Sequence, residues 1–189
     1  MSNFITEFKK GQEGGNKGLF MGEGLTEVSR AINGVQKAMM IGIAASPKVG
    51  KSTLVDYAFI IQPYLQSLKD GNLVDWTYFS FEMDRVSKEF DFAIYFIYHD
   101  FGYETIKLPE GVTVGGKTFI CISSAYLRGR LQDDNDKIVK IDNLILTALK
   151  NVYEKRIIPL FGEYSDKGIL LKEGLIDFIE QKENPTGLR

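Results

Sequence analysis

A chain of 189 residues, 44% of them hydrophobic, suits one domain with a packed core, and its net charge of −2 gives no global basic footprint. Contact with nucleic acid is therefore left to a local patch or to a surface built by several subunits. A lone cysteine excludes an internal disulfide, no apolar run reaches the ~18 residues expected of a membrane span, and MSNFITEFKK lacks the apolar core of a signal peptide, so the expected location is cytoplasmic.

Residues 1–20 read as a mobile arm, because KKGQEGGNKG (9–18) is polar and rich in glycine; the folded domain is then 21–189. LTEVSRAI (25–32) predicts a short helix, and NGVQK (33–37) a turn. The apolar AMMIGIAA (38–45) predicts a buried parallel strand. STLVDYAFIIQPYLQSL (52–68) carries apolar residues at helical spacing. After the break at DGN (70–72), LVDWTYFSFEM (73–83) predicts a second strand and 84–102 an amphipathic helix ending near Gly102. The order β-α-β-α is that of an α/β domain with a mostly parallel sheet.

VTVGGKTFICIS (112–123) predicts a hairpin turning at Gly115-Gly116, and DNDK (134–137) a loop. A helix is expected over 138–155, followed by two strands, 156–164 and 168–181, joined at SDKG. In the closing ENPTGLR, Asn184 is a good N-cap and Pro185 a good first helical residue. A domain rarely ends where a helix starts, so the chain is expected to be part of a longer one.

The segment from Ala45 through Ser46, Pro47, Lys48, Val49, Gly50, Lys51, Ser52 and Thr53 fits the pattern [A/G]-x4-G-K-[S/T] of a Walker A phosphate loop. A strand before it and a helix after it supply the context this chemistry needs. Backbone N–H groups wrap the phosphates while the helix N-terminus adds partial positive charge. Lys51 would reach the β- and γ-phosphates of ATP, and the Ser52 hydroxyl would ligate Mg²⁺.

GLTEVSRAINGVQKAMMIGIAASPKVGKST (24–53), FSFEM (79–83) and IDFIEQKENPTG (176–187) together resemble the RecA-like core of hexameric replicative DNA helicases. The likeness covers about half of the chain, and 103–173 reads as a family-specific insertion carrying the hairpin and a helix. The resemblance implies a RecA-like P-loop NTPase fold, an ATPase acting in DNA replication on single-stranded DNA, and a homo-oligomeric ring. It also implies that Glu82 polarises the attacking water. A carboxylate at the C-terminal end of a strand in an open α/β sheet stands where ligands bind.

The family's Walker B aspartate has no match here. Asp177 lies inside its strand and Glu163 follows a glycine; in the family that strand comes after the helix expected at Asn184. The chain is thus expected to bind ATP better than it hydrolyses it, and robust turnover abolished by Lys51→Ala would sink that expectation.

Arg128 and Arg130 form the tightest arginine pair, and are candidates for contact with DNA phosphates or a neighbour's nucleotide; the bland reading is a solvated loop. Asp84 and Glu89 read as solvated carboxylates, His99 as a polar group in a helix's last turn, and Cys121 as a buried structural thiol. Trp76, Phe90, Phe92, Tyr95 and Phe96 read as core. Two other functions fit the same motifs: a recombinase or DNA-packaging ATPase, and a non-catalytic nucleotide-binding interaction protein.

Overall fold

The computed structural model describes residues 5–6, 8–9, 18–36, 39–71, 73–80, 83–114, 117–133 and 137–180. The chain is a mixed α/β protein that divides into two compact units, Met1–Val74 and Asp75–Arg189.

In the first unit, Leu19 bridges Val35 in antiparallel fashion, with both N···O distances at 2.9 Å. A 3₁₀ turn, Glu23–Leu25, leads into helix α1, Thr26–Ala31. The following turn holds Asn33 (φ 57°) and Gly34 (φ 75°), as expected for NGVQK. The dominant element is α2, running over 51–70 as Lys51–Asp56, a wider π-helical turn Tyr57–Ile61, and Gln62–Asp70. Its inner face buries Ala58, Ile60, Ile61, Tyr64 and Leu65.

The strand expected over 38–45 is absent from the described part of that run. The described part, 39–46, has no ladder partner among the described residues, and Met40 is 98% exposed. The run is apolar but poor in strand formers: Gly42, Ala44 and Ala45 bring little β preference, and an unpaired strand leaves its backbone groups to water.

In the second unit, β1 (Trp76–Ser80) pairs in parallel with β6 (Ile176–Glu180), Trp76 opposite Ile176 and Tyr78 opposite Phe178. This small parallel sheet is joined by two antiparallel pairs. The first is the hairpin of β2 (Lys107–Val114) and β3 (Lys117–Cys121); its expected turn, Gly115-Gly116, lies outside the described residues. The second joins β4 (Glu163–Tyr164) to β5 (Leu170–Lys172).

Helix α3 (Arg85–Phe101) ends at Gly102 as its pattern predicts. The short α4 (Tyr103–Ile106) follows it, and α5 (Ser124–Leu127) follows the hairpin. Helix α6 spans 143–161 as Asn143–Val152, a π-helical turn Tyr153–Ile157, and Ile158–Phe161.

Residues 156–161, expected as strand, thus continue a helix. Proline usually breaks one, because it lacks an N–H and its ring meets the carbonyl four residues back. Here Pro159 follows a π-helical turn, whose wider spacing takes up the mismatch; Pro63 in α2 is placed in the same way.

The core of this unit lies where α3, α6 and the parallel sheet meet. Phe92 packs edge-on to Phe161 (5.2 Å between centroids), Phe161 lies 6.2 Å from Phe178, and Phe178 stacks on Tyr78 at 5.1 Å. Phe96, Ile97, Val152, Ile157 and Leu160 are buried around them. Segment 103–173 is therefore part of the packing and not an appendage. The end of α6 also meets the β5–β6 connection backbone to backbone. A Cβ on Gly162 would stand 2.5 Å from the Lys172 carbonyl oxygen, and one on Gly174 would stand 2.2 Å from the Gly162 nitrogen.

Candidate phosphate loop and the start of helix α3

The segment that fits the phosphate-loop pattern, residues 45–53, lies in the first unit. Ala45, Ser46, Pro47, Lys48, Val49 and Gly50 are exposed, and α2 begins at Lys51 directly after them. Two of these residues are left-handed: Lys48 at φ 63° and Gly50 at φ 85°. A left-handed lysine costs of order 1 kcal/mol or more, and such outliers concentrate at functional sites. Left-handed residues are also the components of backbone concavities that hold anions.

Gly50 occupies the N-cap position of α2 and offers no side-chain cap, so the first-turn N–H groups lack the side-chain acceptor that Ser, Thr, Asp or Asn supplies elsewhere. A Cβ on Gly50 would meet nothing within 4 Å, so the approach to the loop is open. Lys51, Ser52 and Thr53 are exposed in the first turn, where an ammonium and two hydroxyls face solvent. This donor set fits a magnesium–triphosphate group. Backbone N–H groups and Lys51 would hold the phosphates, and the Ser52 hydroxyl is a hard oxygen ligand of the kind Mg²⁺ takes.

The candidate base, Glu82, lies outside the described residues, as does the helix expected from Asn184. Ser80 and Asp84, on either side of Glu82, both make local hydrogen bonds. Ser80 ends β1, and its hydroxyl donates to the Met83 carbonyl oxygen (2.5 Å) and accepts from the Met83 N–H (3.1 Å). Asp84 is not merely a solvated carboxylate. It is the N-cap of α3, accepting the Ser87 N–H at 2.6 Å. That bond is the first reason its carboxyl titrates below the usual range; the charges of Arg128 and Arg130 act in the same direction.

Glu89 also departs from expectation. It is half-buried and paired with Arg85, whose guanidinium lies 3.6 Å above the Tyr164 ring. Burial raises its carboxyl above the ordinary value, against the opposing pull of Arg85. Lys88 is 2% exposed, with its ammonium 5.5 Å from the Tyr78 ring centre.

The arginine pair is split by the fold. Arg128 is half-buried; it donates to the Ser87 hydroxyl at 2.6 Å and lies 6.0 Å from the Phe90 ring centre. Arg130 is exposed. A solvated loop was the bland expectation for both, yet α5, capped by Ser123 through the Tyr126 N–H (3.2 Å), fixes the approach of Arg128. Sequence inspection missed this tie because Ser87 and Arg128 are far apart along the chain. The one local signal was the D-x-x-S spacing of Asp84 and Ser87, which marks a helix start.

The remaining residues behave largely as read. His99 lies exposed in the last turn of α3, with Nδ1 2.7 Å from Asp100 Oδ1 and its ring stacked on Tyr95. Asp177 sits mid-strand in β6 opposite Thr77, and Glu163 opens β4. Phe92 and Phe96 are buried, whereas Trp76, Phe90 and Tyr95 are half-buried. Cys121 is half-buried rather than enclosed, because its two-stranded hairpin covers it incompletely; its Sγ lies 3.8 Å from the Tyr103 hydroxyl.

An open groove of about 580 Å³ lined by Phe101, Asp142, Asn143, Leu144, Thr147 and Ala148 contains none of the predicted site residues. Among the described residues there is no cluster of three His, Cys, Asp or Glu side chains able to hold a metal, and no helix is long and apolar enough to cross a membrane. No protein-family model, curated protein or solved structure matches the chain.

Proposed function

We propose that this chain binds Mg-ATP through residues 45–53 and forms the nucleotide-binding part of a RecA-like, helicase-like motor that acts on single-stranded DNA in replication. The observation that carries the reading is the loop itself: left-handed Lys48 and Gly50 lead into an uncapped helix whose first turn presents Lys51 and Ser52. That arrangement gathers N–H dipoles, one ammonium and one hydroxyl oxygen at a single helix end, which is the chemistry a magnesium–triphosphate group requires. In this reading Glu82 orients water toward the γ-phosphate, and a ring of identical subunits completes the site. Arg130, exposed beside a committed Arg128, is the member of the pair left to meet DNA phosphates or a neighbour's nucleotide.

The test is a Mg-ATP titration of the wild-type chain beside Lys51→Ala. Micromolar-range binding should be lost by about 100-fold or more in the variant, since the lysine is the main side-chain charge on the phosphates. Equal binding by both proteins removes the reading of residues 45–53 as the site; no binding by either means that the site needs a neighbouring subunit or is a relic, and brings forward a non-catalytic interaction protein.

A further inference from the structure

Strand β5 presents an edge that the second unit does not use. Among the described residues it pairs with β4 alone. Ile169, Leu170 and Leu171 are 61%, 46% and 62% exposed. Side chains alternate along a strand, so both faces of this segment are apolar and neither is buried. Proteins ordinarily blunt such an edge with proline or with charge inside the strand. Here lysine stands only at its two ends, as Lys167 in the preceding turn and Lys172 in the last strand position.

The backbone points the same way. The Ile169 carbonyl oxygen accepts the Ser165 N–H at 2.9 Å, and the Ile169 N–H donates to the Ser165 hydroxyl at 3.1 Å. Both Ile169 groups therefore face the β4 side. Successive residues of an antiparallel strand turn their N–H and C=O groups to opposite edges, which directs those of Leu170 outward. The edge is also held in place at both ends. The Gly168 N–H donates to the Ser165 carbonyl oxygen at 2.8 Å, and the Lys172 carbonyl lies against Gly162.

We propose that β5 is a dimerisation edge, on which a second copy of this chain pairs antiparallel about a two-fold axis at Leu170. The segment DKGILLKE (166–173) is self-complementary in that register. Leu170 of each copy exchanges N–H···O=C bonds with Leu170 of the other, and Ile169 meets Leu171. Lys167 comes opposite Glu173, and the symmetry makes that pair twice. Moving the axis half a residue toward Ile169 would instead set Lys167 against Lys172 and Asp166 against Glu173, and like charges directly opposite are unfavourable. Such a contact is isologous and closes at two copies, whereas a ring is built head to tail. The proposal thus stands apart from the nucleotide reading.

The experiment is sedimentation velocity of the full chain without nucleotide, from about 1 µM to about 500 µM. A dimer should grow in with a dissociation constant of about 10–100 µM, in keeping with a contact at the small end of specific interfaces. Leu170→Pro removes the outward N–H and should abolish it, since proline is tolerated on an edge but cannot donate to a new strand. Lys167→Glu and Glu173→Lys, both at exposed positions, should each weaken the dimer about tenfold by opposing like charges twice. The double variant Lys167→Glu/Glu173→Lys restores opposite charges and should recover wild-type association. These charge variants carry the test if Leu170→Pro fails to fold.

A chain that stays monomeric at every concentration overturns the proposal and leaves the edge to an extended peptide of another protein. A dimer indifferent to Leu170→Pro, or one weakened by both single charge reversals and not recovered in the double variant, overturns it as well.

Discussion

Helices α2 and α3 share an amphipathic pattern, but their first turns are finished in opposite ways. At α3 the chain supplies its own anion: the Asp84 carboxylate accepts the Ser87 N–H, beside Arg128 and Arg130. At α2 the cap is a left-handed glycine with no side chain to offer, and Lys51 stands just inside the helix. One positive helix end is satisfied by a side chain, whereas the other has no side-chain cap, and in the proposed reading a bound phosphate takes that place. The segments leading in differ in the same sense. β1 leads toward α3 from a ladder with β6, while 39–46 leads into the loop with no ladder partner among the described residues.

The sharpest way to break this contrast is to give α2 the cap that α3 has. Gly50→Asp places a carboxylate at the helix start, where a Cβ meets no neighbour and where Asp tolerates left-handed backbone better than most residues. The left-handed backbone (φ 85°) strains any side chain there, so Gly50→Asp and Gly50→Asn should both lose some stability, and the two variants are compared with each other. Mg-ATP affinity should fall by about 100-fold, since the new charge competes for the N–H groups and repels phosphate. Gly50→Asn, with the same shape and no charge, should lose far less. Equal losses in both variants would mean that backbone strain, and not an open anion site, governs the loop.

How far the sequence revealed this arrangement depends on the range of each interaction. The turn ahead of α2, α2 itself, α3 and its end at Gly102, and the β2–β3 hairpin were legible, because spacing, glycine placement and capping act within a few residues. The failures share a cause. The run 38–45 was apolar enough for a strand, but a strand exists through its ladder, and composition does not announce a partner. β1, richer in Trp, Thr, Tyr and Phe, found one about 100 residues away. Residues 156–161 looked extended, and nothing in RIIPLF reports the π-helical turn that precedes Pro159. Lys51, Ser52 and Glu82 were singled out by motifs, whereas the bond from Arg128 to Ser87 joins segments 41 residues apart and required the fold.

A smaller effect tests the other side of the comparison. Asp84→Ala removes the carboxylate that caps α3 and should lower the stability of the second unit by about 1 kcal/mol in chemical denaturation. The same truncation has no counterpart at α2, where the cap is already bare. A change well under that size would mean that Ser80 and Arg128 already hold the start of α3 without its cap.

The smallest effect isolates charge from capping. Asp84→Asn keeps a good N-cap acceptor and removes only the negative charge. In the folded chain the Asp84 carboxyl titrates below its ordinary value near 3.8, first because of the Ser87 N–H. A carboxyl whose folded value is depressed binds fewer protons folded than unfolded. Its charge therefore stabilises the fold above the unfolded value, and that contribution is lost as pH falls toward and through the folded one. Asp84 is exposed, so solvent screening holds the difference to about 0.5 kcal/mol at neutral pH. Wild type and Asp84→Asn should thus differ by that amount near pH 7, less at high salt, and converge as both are measured down through pH 4 to about 3. A gap that persists at low pH would assign the difference to hydrogen-bond geometry, leaving the two helix starts to differ in shape rather than in charge.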